Sequence, residues 1–98
     1  MIKHIVMWKL KDEGRAENAQ KIKSLLEGLS GRIGGLKSAV VGIDLKAEDT
    51  SFDAVLVSEF DSLEALAEYK IHPEHVKISA FVKSVRTDRK TVDYEIPE

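Results

Sequence analysis

Residues 69–76 read YKIHPEHV, and this stretch decides how the second half of the chain folds. Pro73 disfavours the helical conformation at the preceding residue, His72, so a helix that enters the stretch is expected to end there. Proline also suits the first turn of a new helix. The stretch therefore predicts two helices that meet at a corner, with the second running from Glu74 to about Val85.

The same corner carries three side chains that can move protons: Tyr69, His72 and His75. Histidine is the side chain whose ordinary pKa lies nearest neutrality, so two of them at one corner are candidates for a site. Proline-broken corners with surface histidines are also common in proteins where the corner is not a functional site. The pattern alone leaves both interpretations open.

The helix that enters the corner is predicted to begin at residues 61–64, DSLE. Asp61 is the expected N-cap, and Glu64 three residues later completes the pattern of a capping box. This helix should run to about Ile71. A strand rich in apolar residues, Phe52 to Phe60, precedes it.

The start of the chain, Ile2 to Leu10, predicts a strand whose two faces are both largely apolar. One helix layer covers one face of a sheet. The other face, which includes Ile5 and Met7 and, on the third strand, Val55 and Val57, needs another partner. We therefore expect a homodimer formed sheet to sheet.

The remaining elements complete a βαββαβ order. Apolar residues at helical spacing predict a first helix from Arg15 to Leu29, ended by a glycine series. Strands are expected over Leu36 to Leu45 and Thr87 to Ile96, with a polar turn at residues 46–51. This order predicts a ferredoxin-like α+β fold, an antiparallel sheet with helices on one face.

The composition limits the function classes. The chain has 98 residues, which predicts one domain over residues 1–98. The net charge of −2 gives no basic excess for nucleic acid. We expect no membrane span and no signal peptide, and hence a cytoplasmic protein. Cysteine is absent, which excludes thiolate zinc sites and cysteine nucleophiles.

The chain resembles the stress-responsive A/B barrel domain (Dabb) family, whose members are dimeric α+β barrels. The resemblance spans essentially the whole chain, and the Tyr-x-x-His-Pro-x-His run is its most specific part. The other residues that carry it are KHIV at 3–6, the strand over 52–60 with DSLEAL at 61–66, and VDY at 92–94.

The family includes a plant polyketide cyclase, and this resemblance implies catalytic roles for His75 as a general base and Tyr69 as a group that positions or activates the substrate. It also implies that His4 lines the same pocket. The cyclase pocket is walled by bulky apolar residues where this chain has Ser58, Ser79 and the polar stretch 86–89, so a different substrate is expected. The full set of expected pocket residues is His4, Val6, Trp8, Leu56, Ser58, His72, Ile78 and Ser79.

Each of these residues also has a structural interpretation. Tyr69 and His4 suit a core, Trp8 suits a core or a pocket wall, and His72 suits a support or cap for the corner. The helix start at His75 is expected to lower the pKa of its imidazole, which a general base requires. We expect no metal, because a proline separates the two histidines and no third strong ligand is near.

The sequence is compatible with three functions. The first is cofactor-free acid–base chemistry on a small carbonyl or phenolic compound, as in a cyclase or isomerase. The second is a cofactor-independent monooxygenase acting on an electron-rich quinol. The third is a non-enzymatic, stress-related protein that binds a ligand or assembles. A small-molecule ligand and a second copy of the chain are the expected partners.

Overall fold

The computed structural model describes residues 1–97 and has the predicted βαββαβ order. Its elements are β1 (Ile2–Leu10), α1 (Arg15–Glu27), β2 (Leu36–Ile43), β3 (Ala54–Phe60), α2 (Leu63–Ile71), α3 (Pro73–Val85) and β4 (Arg86–Glu95). All strand pairs are antiparallel, in the order β2-β3-β1-β4. The ferredoxin-like α+β prediction is confirmed.

Strand β1 lies at the centre of the fold because it pairs with β3 on one side and β4 on the other. Its alternating pattern turns every second residue towards the helices. These residues are all buried: Ile2, His4, Val6, Trp8 and Leu10. The predicted face of β1 is therefore the floor on which the helices pack.

The helices cover this one face of the sheet. Ala19, Ile22 and Leu26 of α1 are buried, as are Leu66 and Tyr69 of α2. Helix α3 contributes Ile78 and Val82 to the same core. The predicted apolar stripe of α1 thus packs against the sheet.

The N-cap of α2 differs from the prediction. Ser62, not Asp61, has the extended backbone of a cap, and its Oγ accepts a hydrogen bond from the Ala65 N–H at 3.1 Å. Asp61 instead forms an ion pair with Lys37 at 3.3 Å. Both residue types are good caps, so the sequence pattern alone did not distinguish them.

Several predicted boundaries differ from those of the structure by one or two residues. Helix α1 ends at Glu27, and Gly28 follows as its C-cap. Strand β2 ends at Ile43, since the Asp44 carboxylate accepts hydrogen bonds from the next turn, from the Lys46 and Ala47 N–H groups. Strand β3 begins at Ala54 rather than Phe52, and β4 spans 86–95 rather than 87–96. Helix α3 takes in Pro73, one residue before the predicted start.

The corner between α2 and α3 forms as predicted, with His72 as its hinge. The backbone of His72 is extended (φ −64°, ψ 133°), and His72 is both the C-cap of α2 and the N-cap of α3. Its Nδ1 accepts a hydrogen bond from the Glu74 N–H at 3.1 Å. Pro73 occupies the first turn of α3, where its missing N–H costs nothing.

The sheet face opposite the helices carries an apolar row that crosses all four strands. Val40, Val57, Ile5 and Val92 are register partners from β2 through β3 and β1 to β4. Met7 and Tyr94 flank this row on the same face and are 38% and 43% exposed. We name this surface, defined by these six residues, the open sheet face.

Candidate functional site

A cavity of about 230 Å³ lies between the sheet and the helices, beside β4. Strands β1 and β3 supply its floor, and α2 and α3 supply its walls. Its lining residues are His4, Val6, Trp8, Leu26, Leu56, Tyr69, His75, Ile78, Ser79, Val82, Lys83, Arg86 and Arg89. Both residues expected to be catalytic and six of the eight expected pocket residues thus lie in one cavity.

Tyr69 is 2% exposed and packs between Phe60 and His75. Burial raises the pKa of its hydroxyl to about 12, because the phenolate is poorly solvated there. Tyr69 therefore stays protonated at neutral pH and is a donor. Within residues 1–97 its hydroxyl makes no hydrogen bond, so it is available to an oxygen of a ligand.

His75 lies over Tyr69, with ring centroids 4.2 Å apart and ring planes at 40°. Its Nδ1 is 3.3 Å from the carbonyl oxygen of Lys70. A carbonyl oxygen only accepts, so Nδ1 carries the proton and the lone pair of neutral His75 is on Nε2. No hydrogen bond within residues 1–97 engages this Nε2.

The pKa of His75 lies below its ordinary value, mainly because burial disfavours the imidazolium. The Lys70 carbonyl opposes this shift. The charges of Arg89 and Lys70, and that of His4 when it is protonated, add to it. His75 is therefore neutral at pH 7. That is the protonation state required of a general base.

His4 lies deeper in the cavity, with its ring centroid 6.5 Å from that of Tyr69. Its Nδ1 donates a hydrogen bond to the carboxylate of Asp93, its register partner on β4. Burial lowers the pKa of His4, and the hydrogen bond and the negative charge of Asp93 partly restore it. Asp93 thus orients the ring and sets its tautomer.

Two residues expected in the pocket do not line it in the described part of the chain. Ser58 is fully buried on β3, where its hydroxyl donates to the His4 carbonyl oxygen at 3.0 Å. The His72 ring is held against the backbone as the cap of α3. Alternation along β3 correctly predicted that Ser58 faces the helices, but its hydroxyl is bonded to the backbone of β1 and it does not line the cavity.

Other lining residues were absent from the expected set: Leu26, Val82, Lys83, Arg86 and Arg89. Leu26 and Val82 belong to helix stripes that read as ordinary core. The resemblance placed the polar stretch 86–89 at the pocket wall, and Arg86 and Arg89 of that stretch do line the cavity. The pairing of Asp93 with His4 depends on the register of strands far apart in the chain.

Among residues 1–97, no three His, Asp or Glu side chains are grouped so as to hold a metal ion. No helix in that range is both long and apolar enough to cross a bilayer.

With the fold and cavity in place, comparison with known proteins identifies the family. Residues 2–96 match the Stress responsive A/B Barrel Domain family, and the chain belongs to it. It is 28% identical over 99 aligned positions to the stress-response A/B barrel domain-containing protein DABB1 of Arabidopsis thaliana. The alignment covers 96% of this chain but only 46% of that protein, so the chain spans less than half of its relative.

Two solved structures show the same architecture. One is a dimeric protein of unknown function with a ferredoxin-like fold from Bacteroides fragilis, at 31% identity and a TM-score of 0.88, covering 97% of this chain and 95% of that one. The other is the hydroxynitrile lyase of Passiflora edulis, at 18% identity and a TM-score of 0.84, covering 99% and 94%. The second likeness concerns the fold alone.

Proposed function

We propose that this protein catalyses acid–base chemistry without a cofactor on a small carbonyl or phenolic compound. The observation that carries the proposal is the pairing of His75 and Tyr69 in one cavity, 4.2 Å apart, with the Nε2 and the hydroxyl both free of hydrogen bonds within residues 1–97. The Nε2 of His75 supplies a base, and the hydroxyl of Tyr69 supplies a hydrogen-bond donor. These are the two groups that enolisation requires.

The proposed reaction begins with proton transfer from carbon. His75 Nε2 takes a proton from the carbon next to a substrate carbonyl, and the electron pair of the broken C–H bond moves to the carbonyl oxygen. The Tyr69 hydroxyl donates a hydrogen bond to the resulting enolate oxygen. Protonated His75 then returns its proton at another carbon, giving isomerisation. Alternatively, the enolate carbon attacks a second carbonyl, and the new alkoxide oxygen takes the proton from His75, giving an aldol-type ring closure.

His4 is proposed to hold the substrate from the floor of the cavity. With Nδ1–H donated to Asp93, neutral His4 offers the lone pair of Nε2 to a substrate hydroxyl. Val6, Trp8, Leu56, Ile78 and Ser79 would pack around the apolar part of the same molecule.

The proposed assembly is a homodimer through the open sheet face. The apolar row crosses four strands, and Val40 and Val92 at its two ends are more than half exposed, as expected of a surface that a partner covers. The B. fragilis structure, which covers almost this whole chain, is dimeric. This surface lies opposite the cavity, so the dimer would leave the cavity open.

Proton abstraction can be tested before the natural substrate is known. Small ketones and phenol precursors are incubated with the protein in D₂O, and loss of the α-proton signal is followed by ¹H NMR. We expect exchange above the buffer rate, and His75→Ala should slow it by roughly 10²–10⁴-fold. Tyr69→Phe should also slow exchange and keep the fold.

Matched variants control for the loss of a ring or a hydroxyl. His72→Asn keeps a capping acceptor at the corner and removes the other imidazole, so exchange should persist. Tyr94→Phe removes a hydroxyl from the open sheet face and should have no effect. If the wild-type protein and His75→Ala exchange the α-proton at equal rates for every compound tested, His75 is not the base.

A non-enzymatic binding role is the second candidate, and the mouth of the cavity favours it. Lys83 and Arg89 are exposed there, so solvent reaches the cavity, whereas catalysis at carbon gains from excluding water. Ligand binding without exchange or turnover would support this role. Oxygen uptake with a quinol would instead support a monooxygenase.

A further inference from the structure

Three cationic side chains surround the mouth of the cavity. Lys83 lies in the last turn of α3, Arg86 is the first residue of β4, and Arg89 is the register partner of Trp8 on the cavity floor. All three line the cavity. We name these three residues the cationic mouth.

The side chains of the cationic mouth have no ion pair or hydrogen bond within residues 1–97. Most other cations of the chain do, and typical pairs are Lys3 with Glu59 at 3.4 Å and Arg32 with Glu74 at 3.1 Å. The chain as a whole is slightly acidic, with a net charge of −2. The unneutralised positive charge at the cavity is therefore local.

The charge at the mouth acts inside the cavity. Arg89 is among the groups that lower the pKa of both His4 and His75. An anion bound at Arg89 would thus lie within electrostatic range of both rings. Beyond the mouth, the lining is mainly apolar, with Val6, Trp8 and Leu56 on the floor and Ile78 and Val82 on the wall that α3 forms.

We infer that the cavity takes a small organic acid, with its carboxylate at the cationic mouth and its apolar body directed towards Tyr69 and His75. Guanidinium groups bind carboxylates through paired, charge-assisted hydrogen bonds. The volume of about 230 Å³ is below the roughly 300–1,000 Å³ of pockets for drug-sized ligands, which indicates a small molecule. The inference rests on the proposed function, because it adds a negative charge to the substrate proposed for the same cavity.

The test compares two probes of one shape and different charge. Benzoate and benzamide are titrated separately into ¹⁵N-labelled protein at neutral pH, and amide shifts give a Kd for each. We expect benzoate to bind at least about tenfold more tightly and to shift amides of α3 and the start of β4. Arg89→Gln should weaken benzoate binding by about tenfold and leave benzamide binding unchanged.

The control variant is Lys77→Gln. Lys77 is an exposed cation on α3 that does not line the cavity, so its loss changes the net charge equally and should leave both affinities unaltered. Equal affinities for benzoate and benzamide would overturn the inference. Equal weakening by Lys77→Gln and Arg89→Gln would do the same, since only general charge attraction would then be at work.

Inorganic phosphate is the third probe. Phosphate could bind as tightly as benzoate and lose the same affinity in Arg89→Gln. The mouth would then recognise any anion, and the inference of an organic acid would be refuted. The two proposals fail separately. Benzoate binding without α-proton exchange removes the proposed catalysis, whereas exchange on neutral ketones without any preference for benzoate removes the organic acid.

Discussion

The Lys70 carbonyl oxygen accepts the hydrogen bond of His75 Nδ1 because Pro73 ends the helix between them. In a continuous helix the Glu74 N–H would donate to this carbonyl. Here that N–H donates to His72 Nδ1 instead. The broken helix thus leaves an acceptor free, and this acceptor orients the proposed base.

Replacement of Pro73 by alanine should disturb this arrangement. We expect a loss of about 0.5–1 kcal/mol in the free energy of unfolding, because the unfolded chain gains freedom. Glu74 would then compete for the Lys70 carbonyl and shift the His75 ring relative to Tyr69. Chemical denaturation measures the first effect, and the ring-proton shifts of His75 measure the second. Unchanged ring shifts together with unchanged ligand affinity would show that the corner does not position the site.

Asp93→Asn should lower the pKa of His4 further. The carboxylate raises this pKa through its hydrogen bond and its charge, and the amide keeps the size but loses the charge. A two-dimensional NMR titration of the imidazole signals gives the value directly. Asp88→Asn, elsewhere on β4, is the control and should leave His4 unaffected. A rise in the His4 pKa would contradict the assigned pairing.

Acid should destabilise the fold through the two cavity histidines. Both have a pKa below the ordinary 6.5 when folded, so the unfolded chain binds more protons near and below that pH. Stability should be complete above pH 6.5 and decrease as the pH falls through the folded pKa values, by at most about 1.4 kcal/mol per pH unit for each histidine. Denaturant midpoints at several pH values measure this, and His75→Gln should flatten the dependence. An equally steep dependence in His75→Gln and the wild type would exclude a contribution from His75.

Gly35 is required by the connection between α1 and β2. Its φ of +83° is left-handed, and a Cβ there would lie 2.6 Å from the Ala65 Cβ of α2. Gly35→Ala should therefore reduce the free energy of unfolding by roughly 1–3 kcal/mol. Gly34→Ala is a matched control, since a Cβ at Gly34 meets no atom within 4 Å. Equal stability of the two variants in thermal unfolding would contradict this explanation.

The elements of the fold were predictable because each carries its own periodicity. The alternation in Ile2–Leu10 and the proline at the corner act within a few residues. The site was only partly predictable, since its geometry depends on pairing between distant strands. The contact of Asp93 with His4 joins residues 89 positions apart. Local pattern also did not distinguish Ser62 from Asp61 as the cap of α2, since both residue types favour that position.

Met7→Glu should dissociate the proposed homodimer. Met7 lies on the open sheet face beside the apolar row, and a carboxylate there would lose its water at the interface, with Lys90 of β4 as its register partner. Sedimentation velocity at micromolar concentration should show a dimer for the wild type and a monomer or an unfolded chain for the variant. Leu45→Glu makes the same chemical change at a residue that is 97% exposed and outside the sheet, so it should remain dimeric. A wild-type chain that sediments as a stable monomer would refute the assembly, and a dimer that survives Met7→Glu would place the interface on another surface.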